Sequence, residues 1–250
     1  MLRVFCAATL VMATGACATT SAPADTTTGV YDPFEGFNRR VFAFNEAADK
    51  AVVGPTAKVY EAVTPRLART GISNALGNLN EPVVFANDLL QGESERAGES
   101  FYRFFVNSTV GVLGLWDAAA YFGVEGHSED FGQTLAVWGV DPGPFLVLPL
   151  LGPSNLRDTF GSGVDVALDP LTYVQIDNDN DTDIAFRAGS GVLSALNARI
   201  TLDDALQALR EQPEPYIALR RIYSQTRDAE IRNGREEEDP YKDLPDFDDF

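Results

Sequence analysis

The sequence predicts a mainly helical chain, folded as a single domain of many short and broken helices. Three observations carry that class. Apolar residues recur at helical spacing, as in Phe34, Phe37, Val41, Phe44 and Ala48. Gly, Pro and Asn sit at the junctions between such stretches, where helices stop and turn. Alternating β-branched runs, the mark of half-buried strands, are nearly absent. The 250 residues, 45% of them hydrophobic, suffice for one large domain, and no internal repeat divides the chain.

Taken in order, residues 1–16 read as a lipoprotein export signal. Arg3 supplies a positive start, Val4–Ala13 is a short apolar core, and small residues precede Cys17. That arrangement resembles a lipobox, in which the cysteine thiol receives diacylglycerol and the freed amine an acyl chain. Thr14 stands where leucine is usual. Cys6 leaves with the signal, so Cys17 has no disulfide partner, and two or three acyl chains there anchor a protein stably. Ala18, in place of the aspartate that retains lipoproteins at the inner membrane, favours the outer membrane. Residues 17–30 read as a flexible tether.

The ordered domain is expected over 31–234. Asp32-Pro33-Phe34-Glu35 supplies an N-cap, a proline and a first-turn acid for the first helix. Further helices are expected near 55–69, 82–91, 94–107, 117–122, 131–138 and 154–160. Asn107, Ser108 and Thr109 read as helix caps. Thr201 to Asp204 reads as a capping box, and Pro215 to Asn233 as a final helix stopped by Gly234. Residues 235–250 form an acidic tail with the character of a disordered segment.

Charge and composition exclude several functions. A net charge of −18 and a pI near 4.3, without a Lys/Arg cluster, argue against nucleic acid. His127 is the single histidine, in a stretch that reads as an exposed loop, and no nucleophile elbow accompanies it. No catalytic residues are therefore assigned. Zinc lacks ligands. Asp177, Asp179 and Asp181 have the first spacings of a calcium loop, but Thr182 replaces its glycine and Ala188 its bidentate glutamate, so a polar loop ending in a helix cap is the reading. No metal and no cofactor beyond the lipid on Cys17 is expected.

Two features point towards lipid. Arg103 and Arg157 lie in apolar surroundings, so each needs either a structural partner such as Asp117, Asp158 or Asp165, or a lipid phosphate. The run Phe145, Leu146, Val147, Leu148, Pro149, Leu150 and Leu151 is wholly apolar but too short to span a bilayer, where about 20 residues are needed. Its prolines make it a poor central strand. Ten helical residues rise about 15 Å, half the hydrocarbon thickness, so the run reads as a leaflet-inserting segment or as part of a soluble core.

A resemblance decides between these. DPFEGFNRRVFAFN at 32–45, NALGNLNEPVVFANDLLQG at 74–92, RFFVNSTVGVLGLWD at 103–117, EDFGQTLAVWGVDPGPFLVLPLLGPSNLRD at 129–158 and PYIALRRIYSQTRDAEIRNG at 215–234 resemble, in order, the motifs of the VacJ/MlaA family of outer-membrane lipoproteins. The resemblance implies a ring-like helical domain in the periplasmic leaflet, around a central channel with a polar inner surface. It implies removal of mislocalised phospholipids from the outer leaflet and delivery to a periplasmic carrier protein, with no enzymatic step. The implied partners are phospholipid, a trimeric outer-membrane porin and that carrier. Phe44, Asn45, Arg103 and Arg157 are the channel or gating candidates, the Phe44-Asn45 pair holding a neighbouring loop. Apart from the resemblance, two rival readings stay open: a periplasmic-face scaffold without a lipid channel, and a phospholipase using His127.

Overall fold

The computed structural model describes residues 29–173 and 180–233. The signal, Cys17, most of the tether, Asp177, Asp179 and the acidic tail lie outside the described residues.

Helix α1 (Glu35–Ala48) continues through a π-helical stretch (Asp49–Val53) into α2 (Gly54–Val63). The rod ends at Thr64, whose backbone turns extended because Pro65 follows. The helix expected over 55–69 is therefore cut at that proline. Next comes α3 (Arg66–Gln91), 26 residues long with Pro82 inside it, closed by Gly92 in the left-handed region. The expected helix 82–91 is thus the second part of a longer one. Pro82 is tolerated because its neighbours Asn78, Glu81, Val83 and Val84 are buried and α3 packs along α4 (Ser94–Thr109). Packing overrides the proline's local cost.

The chain goes on through α5 (Ala118–Tyr121), α6 (Phe131–Val137), strands β1 (Phe145–Leu148) and β2 (Gly152–Asn155), α7 (Leu156–Leu168) and a 3₁₀ turn (Pro170–Thr172). It finishes with α8 (Asn180–Thr201), α9 (Asp203–Arg210) and α10 (Pro215–Arg232). Asn155, the last residue of β2, caps α7 through a side-chain bond from the Asp158 N–H at 2.8 Å. Asn107 accepts from the Ala119 N–H and so serves the start of α5. Two expected caps fail. Asp32 does not cap α1; its carboxylate accepts from Asn38, Tyr216 and Arg220 instead. Thr201 bonds back to the Asn197 carbonyl, and Leu202 precedes α9 without a side-chain cap. Asn233, in the left-handed region, ends α10.

Packing runs in a closed circuit. The α1–α2 rod meets α8, α8 meets α3, α3 meets α6, and α6 meets α10; α10 meets β2, and β1 returns to α1. The result is a ring rather than a layered core. Arg199 and Arg210 lock one junction by meeting Asp49 at 2.6 Å each, and Arg210 also reaches Glu46 at 2.8 Å.

At the other junction the apolar run of residues 145–151 is not helical. It forms β1 and the hairpin turn, paired antiparallel with β2. Its prolines are accommodated by position. Pro153 lies opposite Val147, whose own N–H points away from β2 to the Asn38 side chain. The missing proline N–H therefore costs no ladder bond. The open edge of β1 is covered by polar groups from the N-terminal stretch: Phe145 N–H donates to the Tyr31 carbonyl, and Asn38, fully buried, both donates to the Phe145 carbonyl and accepts from Val147. Seven residues on, the same face of α1 presents Asn45, which donates to the Leu148 carbonyl and accepts from the Leu150 N–H at 2.8 Å. Two asparagines thus act as a substitute strand.

Close backbone approach joins α6 to α7. A Cβ at Gly161 would lie 2.4 Å from the Gly132 nitrogen, so this contact exists only between glycines.

Replacing Asn38 by Ala strands a buried carbonyl and a buried N–H, at about 1–3 kcal/mol each; thermal unfolding in detergent is expected to show a loss of that size. Gly161→Ala is expected to lose about 1–3 kcal/mol through overpacking, read in the same assay.

Candidate functional site

The described residues bury polarity and display grease. Among them, 18 buried residues are polar or charged against 14 apolar ones. The larger apolar core cluster is small, centred on Val41, Phe145, Val147 and Tyr216. Meanwhile Phe37, Phe101, Phe105, Leu113, Tyr121 and Phe160 are exposed, with many others. Apolar patches of this extent mark a surface that meets something other than water. No described helix is long and apolar enough to cross a membrane.

A cavity of about 750 Å³ lies between α3, α8 and the α7 end. α3 lines it with Ser73, Gly77 and Asn80 beside Leu76 and Leu79, and α8 with Ser190, Ser194, Asn197 and Thr201 beside Ala198 and Leu202, so the wall mixes polar stripes with apolar side chains. The first set on each helix is spaced by three or four residues and so forms one stripe. The α8 stripe from Arg187 to Thr201 extends about 21 Å at 1.5 Å per residue. Two smaller cavities, of about 390 and 220 Å³, also border Ser73. Polar atoms without a protein partner cluster along these walls: Asn197 Nδ2, Arg69 Nε, Asn78 Oδ1 and Glu81 Oε2. Buried polar groups are otherwise nearly always bonded, so these mark space for water or a ligand.

The sequence-predicted residues separate. Arg103 stands at the wall of the 220 Å³ cavity, bonded to Glu81 at 2.8 Å, to the Val124 carbonyl and to Asp117 at 3.1 Å. Arg157, at the start of α7, lines a separate cavity of about 460 Å³ and is bonded to Asp158 at 3.0 Å and to the Val140 carbonyl. Both arginines thus have the structural partners that the sequence offered. Phe44 is exposed and Asn45 grips the hairpin turn. The apolar run divides: Phe145 and Val147 are 1% and 2% exposed, whereas Leu150 and Leu151 at the turn are open, Leu151 at 80%. Leu146 and Leu148 are half-buried. Only the tip offers an apolar surface.

The strongest charge cluster was not legible beforehand. Arg227 of α10 meets Asp130 at 2.6 Å and Asp158 at 2.9 Å, while Tyr223, Asn155 and Arg157 also bond to Asp158. Burial opposes ionisation of Asp130 and Asp158, but Arg227 and the surrounding donors outweigh it and hold both carboxyls below their usual range. Glu81 behaves oppositely. Its burial outweighs Arg103 and raises it.

His127 is not an exposed loop residue. It is half-buried, with Nε2 3.0 Å from Asp88 and 3.4 Å from Ser100. This trio is not a relay: the Ser100 hydroxyl donates to Asp88 itself, and Ser100 is fully buried. Its chemistry is that of a satisfied polar contact between α3 and α4.

A closed circuit of helices that buries polar side chains and exposes large apolar ones defines the class of fold, a helical ring. The profile of the MlaA lipoprotein family matches residues 30–230. The Escherichia coli K12 protein called intermembrane phospholipid transport system lipoprotein MlaA is 35% identical over 212 residues, 83% of this chain and 81% of that one. Its Haemophilus influenzae namesake is 30% identical over 208 residues, 82% of this chain and 80% of that one. A solved structure from work on the structural basis for maintenance of bacterial outer membrane lipid asymmetry superposes with a TM-score of 0.71 at 34% identity, covering 80% of this chain and 98% of that one. The chain belongs to the MlaA lipoprotein family.

The cavity stripes were missed by sequence reading, though a signal exists: Ser73, Gly77 and Asn80, like Ser190, Ser194, Asn197 and Thr201, keep helical spacing with small polar residues.

Arg227→Met leaves the part-buried Asp130 without its cation and the buried Asp158 with Arg157 alone, an expected loss of about 3 kcal/mol at pH 7. Because both folded-state carboxyls sit below their unfolded values near 3.9, the wild-type advantage is full above that value and is lost as pH falls through the folded pKa. The gap in melting temperature between the two proteins is therefore expected to narrow below about pH 4.

Proposed function

We propose that this chain is an outer-membrane lipoprotein that clears mislocalised phospholipids from the outer leaflet. It is anchored at Cys17 in the periplasmic leaflet, and lipids pass through its central channel to a periplasmic carrier. No catalytic step is involved. A porin trimer in the same membrane is the expected neighbour. The observation that carries this reading is a cavity of mixed lining, small polar residues of α3 and α8 beside Leu76, Leu79, Val166 and Leu202, in a domain that exposes many of its large apolar side chains. A phospholipid headgroup does not cheaply cross hydrocarbon, and a polar wall lowers that cost. An apolar outer face spares the ring the same penalty in the bilayer.

The exposed tip Leu150–Leu151 is the leaflet-inserting part of the 145–151 segment, and Asn45 fixes its orientation through the turn. Through that grip Asn45 gates the channel. Phe44 contributes apolar surface, and Arg103 and Arg157 hold the walls.

Two experiments test this. Ser194→Trp places an indole in the cavity. Transfer of labelled phospholipid from liposomes containing the protein to a periplasmic carrier is expected to fall at least tenfold with unchanged melting; undiminished transfer removes the cavity from the path. A Cys17→Ala chain exported behind an ordinary cleavable signal separates transport from scaffolding. Retention in the membrane fraction supports leaflet insertion, and release into the soluble fraction supports a scaffold.

A further inference from the structure

We infer that the 390 Å³ cavity beside the main one is a phosphate-recognition subsite, which selects the phosphodiester of a lipid headgroup at one mouth of the channel. The inference rests on the transport reading above and adds to it a named recognition site.

The cavity is walled by Arg66, Arg69 and Thr70 from the start of α3, by Asn197 and Thr201 from α8, and by Glu61 from α2. It shares Ser73, Asn197 and Thr201 with the 750 Å³ cavity, so the two are continuous along one polar stripe. Its donors outnumber its acceptors. Arg69 spends one terminal nitrogen on Glu61 at 2.9 Å, and its Nε is buried with no acceptor. Asn197 Nδ2 is likewise buried and unbonded. Arg66 is exposed and makes no ion pair among the described residues. Thr70 and Ser73 add hydroxyls to the same wall.

Two guanidiniums against one carboxylate leave a net positive site in a chain whose net charge is −18. Orphaned buried donors of both charged and neutral kind ask for an acceptor carrying several oxygens. A phosphate group supplies these, and guanidinium is the side chain that matches it in planar geometry. The Arg69 Nε is on α3 and the Asn197 Nδ2 on α8, both at residues that line this cavity, so an oxyanion that met both would bridge α3 to α8. Acyl chains have no place among these donors. They would run from the mouth along the outer apolar surface or the wider cavity.

The site recognises phosphate, and free phosphate and a phospholipid are its two sources. Full-length protein in detergent, titrated with short-chain phosphatidylglycerol, with diacylglycerol of the same chain length and with inorganic phosphate, separates them. Wild type is expected to bind phosphatidylglycerol at least tenfold more tightly than diacylglycerol. Arg66→Gln, on an exposed and unpaired side chain, keeps the fold and is expected to weaken phosphatidylglycerol at least threefold. Arg66→Gln with Arg69→Gln is expected to weaken it at least tenfold, leaving diacylglycerol unchanged, and Arg69→Lys to recover part of the loss. Inorganic phosphate is expected to compete only at concentrations far above those of the lipid. If Arg66→Gln leaves phosphatidylglycerol binding unaltered, or if both lipids weaken equally, the subsite is wrong. If inorganic phosphate binds as tightly as phosphatidylglycerol, the headgroup assignment is overturned in favour of a free-anion site. Wild type binding neither lipid sinks the transport reading itself, whereas equal binding of both sinks only the subsite.

Discussion

The arginine at 227 is the contact on which one side of the ring depends. It sits between Asp130 at the start of α6 and Asp158 in the first turn of α7, and it reaches them from α10, near the end of the described chain. Three elements far apart in sequence are thereby joined by one guanidinium. Desolvating such a group without partners is prohibitive, but two carboxylates, a tyrosine hydroxyl and an asparagine close the network around it. The arrangement specifies one geometry: a shift of any helix leaves a charge buried and unpaired. Apolar packing alone is less exacting, because grease tolerates sliding.

That choice follows from where the apolar side chains went. A soluble domain of this size uses its phenylalanines and leucines to fill a core. Here, among the described residues, Phe145, Leu196 and Leu209 are the only buried phenylalanine and leucines, and buried polar residues outnumber buried apolar ones, so much of the adhesion between elements comes from hydrogen bonds and ion pairs. The same logic recurs at each junction. Arg210 and Arg199 meet Asp49, Arg103 joins Glu81 to Asp117, and Asn87 links Thr134 to Asp165. Polar groups turned inward, once not all paired with each other, leave walls with spare donors and acceptors. The polar stripes along the cavities are therefore the other face of the same arrangement.

Much of the fold was legible in the sequence, and the residues explain which parts were not. Helices α1, α4, α6 and α10 could be read because their apolar spacing and their stops are local. The full extent of α3 was hidden by Pro82, whose cost is offset by burial against α4, a tertiary fact. The hairpin was hidden by three prolines that look incompatible with strand pairing until Asn38 is seen to take the N–H opposite Pro153. Asn45, which holds the hairpin turn, was singled out through its motif, whereas Asn38, seven residues earlier on the same face, was not. Arg103 and Arg157 looked alike in sequence, each one cation in an apolar run. Only the fold could show that they stand on the walls of two different cavities, Arg103 tying α4 to α3 and Arg157 bracing the loop at Val140.

The paired asparagines also explain why the 145–151 run is both core and surface. A helix in that position would have pointed its side chains all round, and a free strand would have offered an unpaired edge to any neighbouring chain. Pinning the outer edge of β1 to α1 by side-chain amides removes that hazard without adding a third strand. Phe145 and Val147 then alternate inward onto Val41 and Tyr216, since residues two apart share a face. Beyond Leu148 the alternation ends. Leu150 takes a positive φ of 63°, a conformation that a branched side chain adopts only under constraint, and the constraint is the bond from its N–H to Asn45. The open apolar tip is thus held in place by a polar clamp on its backbone. Its position is set by α1 rather than by anything the two exposed leucines themselves touch.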